Sequence, residues 1–204
     1  MSLGKLRPEL IELLPEKGIS ELNDLQLRVL SGVRSGKHLC VEAPSGSGKT
    51  TAAMISILEK VETAGEGSPR AIVICTDDAA AIELHKRLKE ICRPLDLTVD
   101  LAHEKGNKLL QRNDIFDGTE IIVGTPKRIY ELYIQNGFNV SKLKLFMLDD
   151  AIELFRKGHG MQIARLAESL PKCQHILLSH SFSERRLEEY LDEFVPVSTL
   201  IEVE

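Results

Sequence analysis

The run APSGSGKT, Ala43 to Thr50, constrains the fold of this chain more than any other stretch of it. It follows the apolar run His38 to Glu42 and leads into the helix-spaced run TTAAMISILEKV. Strand, glycine-bearing turn and helix in that order are the setting of a phosphate loop. Glycines at 46 and 48 let the backbone curl so that successive N–H groups point inward, at the positive end of the helix that follows. Ser45, Gly46, Ser47, Gly48, Lys49 and Thr50 are therefore expected to cradle a nucleotide, with Lys49 on the β and γ phosphates and the Thr50 hydroxyl on Mg²⁺. Ala43 stands where the eight-residue pattern usually opens on glycine. A ligand-free Gly/Ser turn is the plainer alternative, but it does not account for glycine, lysine and hydroxyl all falling at the required offsets.

A loop of this kind implies a sheet behind it. Short apolar runs rich in β-branched residues recur at His38–Glu42, Ala71–Cys75, Leu97–Leu101, Glu120–Val123, Leu145–Asp149, His175–Ser179 and Ser198–Val203, and read as buried strands. Between most of them apolar residues fall at helical spacing: Leu22, Leu25, Val29 and Val33; Ile55, Leu58 and Val61; Ile82, Leu84, Leu88 and Ile91; Ile163, Leu166 and Leu170. Alternating helices and two-faced apolar strands predict an α/β fold, a mostly parallel sheet of about seven strands flanked by helices. Turns are expected at 63–69, at Gly36, at Asn136-Gly137 and at 157–160, none long enough for an interdomain linker. At 204 residues the chain is expected to form one domain over 1–204.

A phosphate loop needs an acidic partner at a neighbouring strand end, and LKLFMLDDAIELF supplies Asp149 for Mg²⁺. Asp150 stands where a second carboxylate orients or deprotonates the attacking water. The two acids also suit the start of a helix over AIELF, and both roles can hold together. Cys40, Cys75, Cys92 and Cys173 show no CxxC spacing and read as buried thiols, and five of the six histidines read as structural or surface residues. With no apolar span and no leader-like N-terminus, the expectation is a cytoplasmic protein without membrane contact. The formal charge of −5 argues against a non-specific nucleic-acid binder.

From these motifs the chain resembles the N-terminal RecA-like domain of the DEAD-box ATP-dependent RNA helicases. Gln26 in GISELNDLQ matches the Q motif, APSGSGKT motif I, CTDDAAAI motif Ia, GTPKR motif Ib, DDAI motif II, and SHS at 179–181 the SAT motif. The resemblance implies a RecA-like P-loop fold with ATP and Mg²⁺ as cofactors and RNA as partner. It implies that Gln26 reads adenine, that Lys49, Thr50 and Asp149 hold MgATP, and that Asp150 stands for the catalytic glutamate. Thr76, Thr125, Pro126, Lys127 and Arg128 would meet RNA, and Ser179 and Ser181 would couple the ATP state to the RNA state.

Departures from the family pattern shape the expected activity. Asp150 is shorter than glutamate by about 1.5 Å, which predicts slow hydrolysis. Ile152 ends the tetrad and lacks the polar contacts that tie motif II to the SAT element, and His180 replaces the alanine between its serines. Asp77 stands where motif Ia presents arginine to RNA, LAHEKGN replaces the family's glycine doublet, and no aromatic residue precedes Phe116 to stack on adenine. The resemblance covers one of two RecA-like domains; the second normally brings arginines to the γ-phosphate, a kind of contact worth roughly 10³ to 10⁵ in rate. The expectation is a weak helicase-type ATPase whose partner supplies that second lobe. The alternatives are a non-catalytic nucleotide-binding adaptor and, more remotely, a small-molecule kinase, for which no lid or second-substrate arginine cluster is visible.

Overall fold

The structure, a computed structural model, describes residues 3–65 and 67–203, with the side chain of Lys5 left aside. Glu66, within the turn expected at 63–69, lies outside the described residues. Seven strands are present among the described residues: β1 (His38–Glu42), β2 (Ala71–Ile74), β3 (Val99–Ala102), β4 (Ile121–Gly124), β5 (Leu145–Asp149), β6 (Gln174–Ser179) and β7 (Ser198–Glu202). They form one sheet in the order β3-β4-β2-β5-β6-β1-β7, and every pairing is parallel. The helices are α1 (Pro8–Glu16), α2 (Asp24–Ser35), α3 (Lys49–Val61), α4 (Asp78–Cys92), α5 (Lys108–Asp117), α6 (Pro126–Ile134), α7 (Ala151–Arg156), α8 (Gly160–Ser169) and α9 (Arg185–Phe194).

Side-chain alternation along the strands sorts the interior into two cores. Ala71, Val73, Leu145 and Met147 face a core shared with α1 to α4, whereas Ile72, Ile74, Phe146 and Leu148 face one built with α6 to α9. Each central strand is thus apolar on both faces, as parallel pairing under two helical layers requires. Helices α1 and α5 stand outside the periodic segments. In α1 Pro15 interrupts an otherwise helical pattern. In α5 only Gln111 and Ile115 are buried while Leu109, Leu110 and Phe116 are exposed, so its sequence shows no apolar stripe. Strand β3 begins two residues later than expected because a 3-10 turn at Arg93–Leu95 carries the chain past Leu97.

Register decides what meets at the C-terminal edge of the sheet. Strand β6 pairs Leu178 with Asp149 and Ser179 with Glu42. The turns after β1, β5 and β6 therefore emerge at one level, side by side. Pairing of Gly124 with Ile74 and Ala102 likewise levels the turns after β2, β3 and β4. Open α/β sheets bind ligands at this edge, outside the carboxyl ends of the strands.

Candidate active site

The turn between β1 and α3 is shaped by backbone only glycine adopts easily: Gly46 and Gly48 have φ of +81° and +96°. A Cβ on Gly48 would also lie 2.6 Å from Gln26 Nε2, so the position is closed to side chains twice over. Helix α2 braces the loop from below. Asn23 and Gln26 form a capping box, each side-chain oxygen accepting the other's backbone N–H at 2.9 Å. The Asn23 amide donates to Ser47 O at 2.8 Å, and Gln26 Nε2 faces Gly48 O at 3.4 Å. Gln26 is buried with both ends of its amide engaged on the chain itself.

Lys49 folds across the loop, its ammonium donating to Ala43 O at 2.5 Å and Pro44 O at 2.7 Å. Burial lowers its pKa, against the opposing pull of Asp150 and Asp149. Asp149 ends β5 beneath it. Burial first and the Asp150 charge second raise its carboxyl to about 6, with Lys49 pulling the other way. Ser45, Gly46, Gly48, Lys49, Thr50, Thr51, Asp149 and Asp150 share a cleft of about 420 Å³. The loop amides, the Lys49 ammonium, and a hydroxyl and carboxylate for a hard cation make this donor set one that fits the phosphates and Mg²⁺ of a nucleotide. Thr76, expected to meet RNA, also borders this cleft, and Ala80, Arg87 of α4 and His180 line it without having been assigned by sequence reasoning. Arg87 makes no hydrogen bond or ion pair among the described residues, and only its placement on the inner face of α4 reveals it.

Asp150 occupies the left-handed region at φ +63°, at the head of α7. Its Oδ1 is buried without a hydrogen bond, 3.6 Å from His180 Nδ1. The neighbouring turn is fixed by Ser179, whose Oγ accepts from Ile152 N at 3.3 Å and donates to Ser181 O at 2.5 Å, while its carbonyl accepts from Ala43 N at 3.0 Å. Ile152 lacks the polar side-chain contact, as expected. Its side chain is buried in the second core, but its backbone N–H keeps the head of α7 tied to the β6 turn.

Across the same edge the other predicted residues meet a different environment. Arg128, on α6, is buried, and its guanidinium donates to Gln111 Oε1 at 2.7 Å, Glu104 O at 3.0 Å and Gly106 O at 3.2 Å. The loop it holds, residues 103–107, packs so closely that a Cβ on Gly106 would lie 1.8 Å from Gln111 Nε2. Thr125, also buried, donates its hydroxyl to Glu104 Oε2 at 2.5 Å. Pro126 is buried at the first turn of α6, and Lys127 is exposed. Thr76 lies beside Asp77, which caps α4 by accepting from Ala80 N at 3.0 Å and pairs with Lys157 at 3.0 Å. The backbone bond from Ala80 and the Lys157 ammonium hold the Asp77 carboxyl below its usual range.

The family model for DEAD/DEAH box helicases matches residues 23–190. This chain belongs to that family. The ATP-dependent RNA helicase eIF4A of Debaryomyces hansenii is 26% identical over 199 residues, covering 96% of this chain and 50% of the relative. The chain thus spans about half the length of the curated relatives it matches. A DEAD box protein from Methanococcus jannaschii superposes with a TM-score of 0.91 at 21% identity, over 100% of this chain and 56% of that one, which speaks for the fold. Dbp5 of S. cerevisiae, solved bound to RNA and ADP BeF3, gives a TM-score of 0.81 at 25% identity, over 98% of this chain and 50% of that one. The chain therefore carries a RecA-like DEAD-box domain, and the family uses ATP and Mg²⁺. No helix among the described residues is long and apolar enough to cross a membrane.

Proposed function

We propose that this DEAD-box domain binds MgATP and hydrolyses it slowly by itself, with RNA and a second RecA-like lobe supplied by a partner needed for duplex separation. One observation carries the reading: phosphate loop, Lys49, Thr50, Asp149 and Asp150 converge on one cleft with their ligand-binding groups unengaged or bonded only to the loop itself. Lys49 exchanges two carbonyls of its own loop for phosphate oxygens. Loop amides and the N-terminus of α3 hold the remaining phosphate charge. Thr50 and Asp149 would hold Mg²⁺, which when bound neutralises charge on the phosphates. Asp150 stands at the cleft for the attacking water, one methylene short of the family's glutamate. The brace from Asn23 and Gln26 keeps the loop in its cradle shape, and the adenine-reading role for Gln26 requires its amide to give up the contacts it makes here.

A second reading, the non-catalytic nucleotide-binding adaptor, draws support from Arg128 and Thr125, whose polar groups are engaged inside the fold. Phosphate release from MgATP, measured with and without single-stranded RNA, separates the two. Turnover abolished in Lys49→Ala and raised on the order of tenfold in Asp150→Glu is the expected result. Nucleotide-dependent protection against unfolding with no turnover in any variant would overturn the ATPase reading and leave the adaptor.

A further inference from the structure

We infer that His180, oriented by Asp150, is the group that takes the proton from the attacking water, an inference that rests on the ATPase reading above. Asp150 alone is poorly suited to the task, because it is short and its backbone is held in a left-handed turn. One of its oxygens, Oδ1, is buried without a hydrogen bond, and His180 Nδ1 lies 3.6 Å from it. That separation is just outside hydrogen-bond range, and contacts of this kind tighten when the reacting complex forms.

The ring nitrogen that faces Asp150 is Nδ1, so Nε2 lies on the far edge of the imidazole. His180 borders two spaces at once. It lines the phosphate cleft with Lys49 and Asp149, and it lines a neighbouring cavity of about 760 Å³ with Glu42, Pro44 and Glu202. Its side chain is 42% exposed, and Nε2, on the edge away from Asp150, makes no hydrogen bond among the described residues. The backbone beneath it is held firmly. Ser179 and Ser181 on either side are bonded to each other, to the head of α7 and to the first residue of the phosphate loop. A carboxylate that accepts Nδ1–H fixes the tautomer in which Nε2 carries the lone pair, the same logic by which a carboxylate directs an imidazole toward an oxygen nucleophile elsewhere.

The step balances. Nε2 takes one proton from water as the water oxygen bonds to the γ-phosphorus. The bond from that phosphorus to the β–γ bridging oxygen breaks, and its electron pair leaves with ADP. The imidazolium is paired by Asp150 until Nε2 returns the proton to solvent. The imidazole thereby restores the reach that the missing methylene removes.

Two measurements decide this. In the ligand-free chain, ¹⁵N spectra of the histidine side chains, assigned with His180→Gln, should show His180 as the Nδ1–H tautomer when neutral, and this preference should vanish in Asp150→Gly, a variant suited to the left-handed backbone. In turnover, His180→Ala should lower kcat on the order of 10²-fold with nucleotide Kd unchanged. In an Asp150→Glu background the same substitution should cost only about threefold, because the longer carboxylate reaches the water directly. An Nε2–H tautomer, or turnover indifferent to His180, or an equal loss in both backgrounds, overturns the inference and leaves the ATPase reading standing. Absence of turnover in every variant overturns that reading, and this one with it.

Discussion

The C-terminal edge of the sheet carries two polar clusters with opposite habits. At the ends of β1, β5 and β6, groups are left without hydrogen-bond partners among the described residues: the side chains of Asp149 and Thr50 make no hydrogen bond, and Asp150 Oδ1 and Ser47 Oγ are buried with none. At the ends of β2, β3 and β4, most polar groups of the same types are engaged, and the two buried nitrogens left without a hydrogen bond, His103 Nδ1 and Arg128 Nε, each lie beside a carboxylate, Asp78 and Glu131. Arg128 is ringed by acceptors, Thr125 is held by Glu104, and Asp78 accepts from Glu104 N at 3.1 Å and Lys105 N at 3.3 Å. Buried polar atoms in folded proteins are almost always paired, so unpaired groups that also gather around a phosphate loop and line one cleft mark a place prepared for a ligand. Motif matching makes no such distinction. It assigns Arg128 and Lys49 equal standing, and the geometry separates them.

The hardest blow to that contrast would come from Arg128. If it is structural, Arg128→Ala strips donors from two backbone carbonyls and Gln111 and should destabilise the chain by about 3 kcal/mol, lowering Tm by about 6–12 °C. The neighbouring Lys127→Ala, on an exposed side chain, should change stability by no more than about 0.5 kcal/mol while weakening RNA binding. Thermal unfolding beside RNA titration checks both. A stable Arg128→Ala variant that fails only in RNA binding would show that the engaged cluster opens to its ligand after all.

Asp149 tests the other cluster. Its folded pKa of about 6 lies above the usual 3.8, so the folded chain binds more protons than the unfolded one between those values, and stability falls as pH rises through them. The cost is complete above pH 6 and gone below pH 4. Asp149→Asn should therefore stabilise the ligand-free chain at pH 7.5 by about 2 kcal/mol, raising Tm by about 4–8 °C, with the gain shrinking toward zero near pH 4. The same variant should lose Mg²⁺-dependent nucleotide protection. A variant no more stable than the parent at pH 7.5 would mean that the cleft carboxylates are not held at a cost.

Much of this was legible in the sequence because it depends on local order. Strand, glycine turn and helix around Lys49 follow from neighbouring residues, and the parallel sheet follows from two-faced apolar strands separated by helices. Contacts between distant segments were not legible. Nothing within GTPKR indicates that Arg128 turns inward, since its acceptors at 104, 106 and 111 approach only when β3 and β4 pair. Arg87 enters the cleft because α4 packs beside α3, and the tie through Ile152 runs through backbone, which side-chain identity does not report. His180 was visible as a departure, but its meaning depends on the β5–β6 register that sets it against Asp150.

The smallest effect bears on how far the second cluster has moved from nucleic-acid recognition. Glu104 presents a carboxylate at the groove it shares with Thr76, Asp77, Asp78, Lys105 and Thr125, and it occupies the Thr125 hydroxyl. Glu104→Gln keeps an acceptor for that hydroxyl and leaves the backbone carbonyl on which Arg128 depends untouched, so the fold should persist. What changes is one negative charge beside the path a phosphate backbone would take. Removing one repelling charge should raise affinity for single-stranded RNA by about two- to fivefold near 0.1 M salt, with the gain shrinking as salt rises, as read by fluorescence anisotropy across a salt series. A salt-independent gain would point to a rearranged loop instead of relieved repulsion. No gain at any salt would place RNA, if the chain binds it, away from the ends of β3 and β4, and the contrast between the two clusters would then be one between a ligand site and ordinary protein interior.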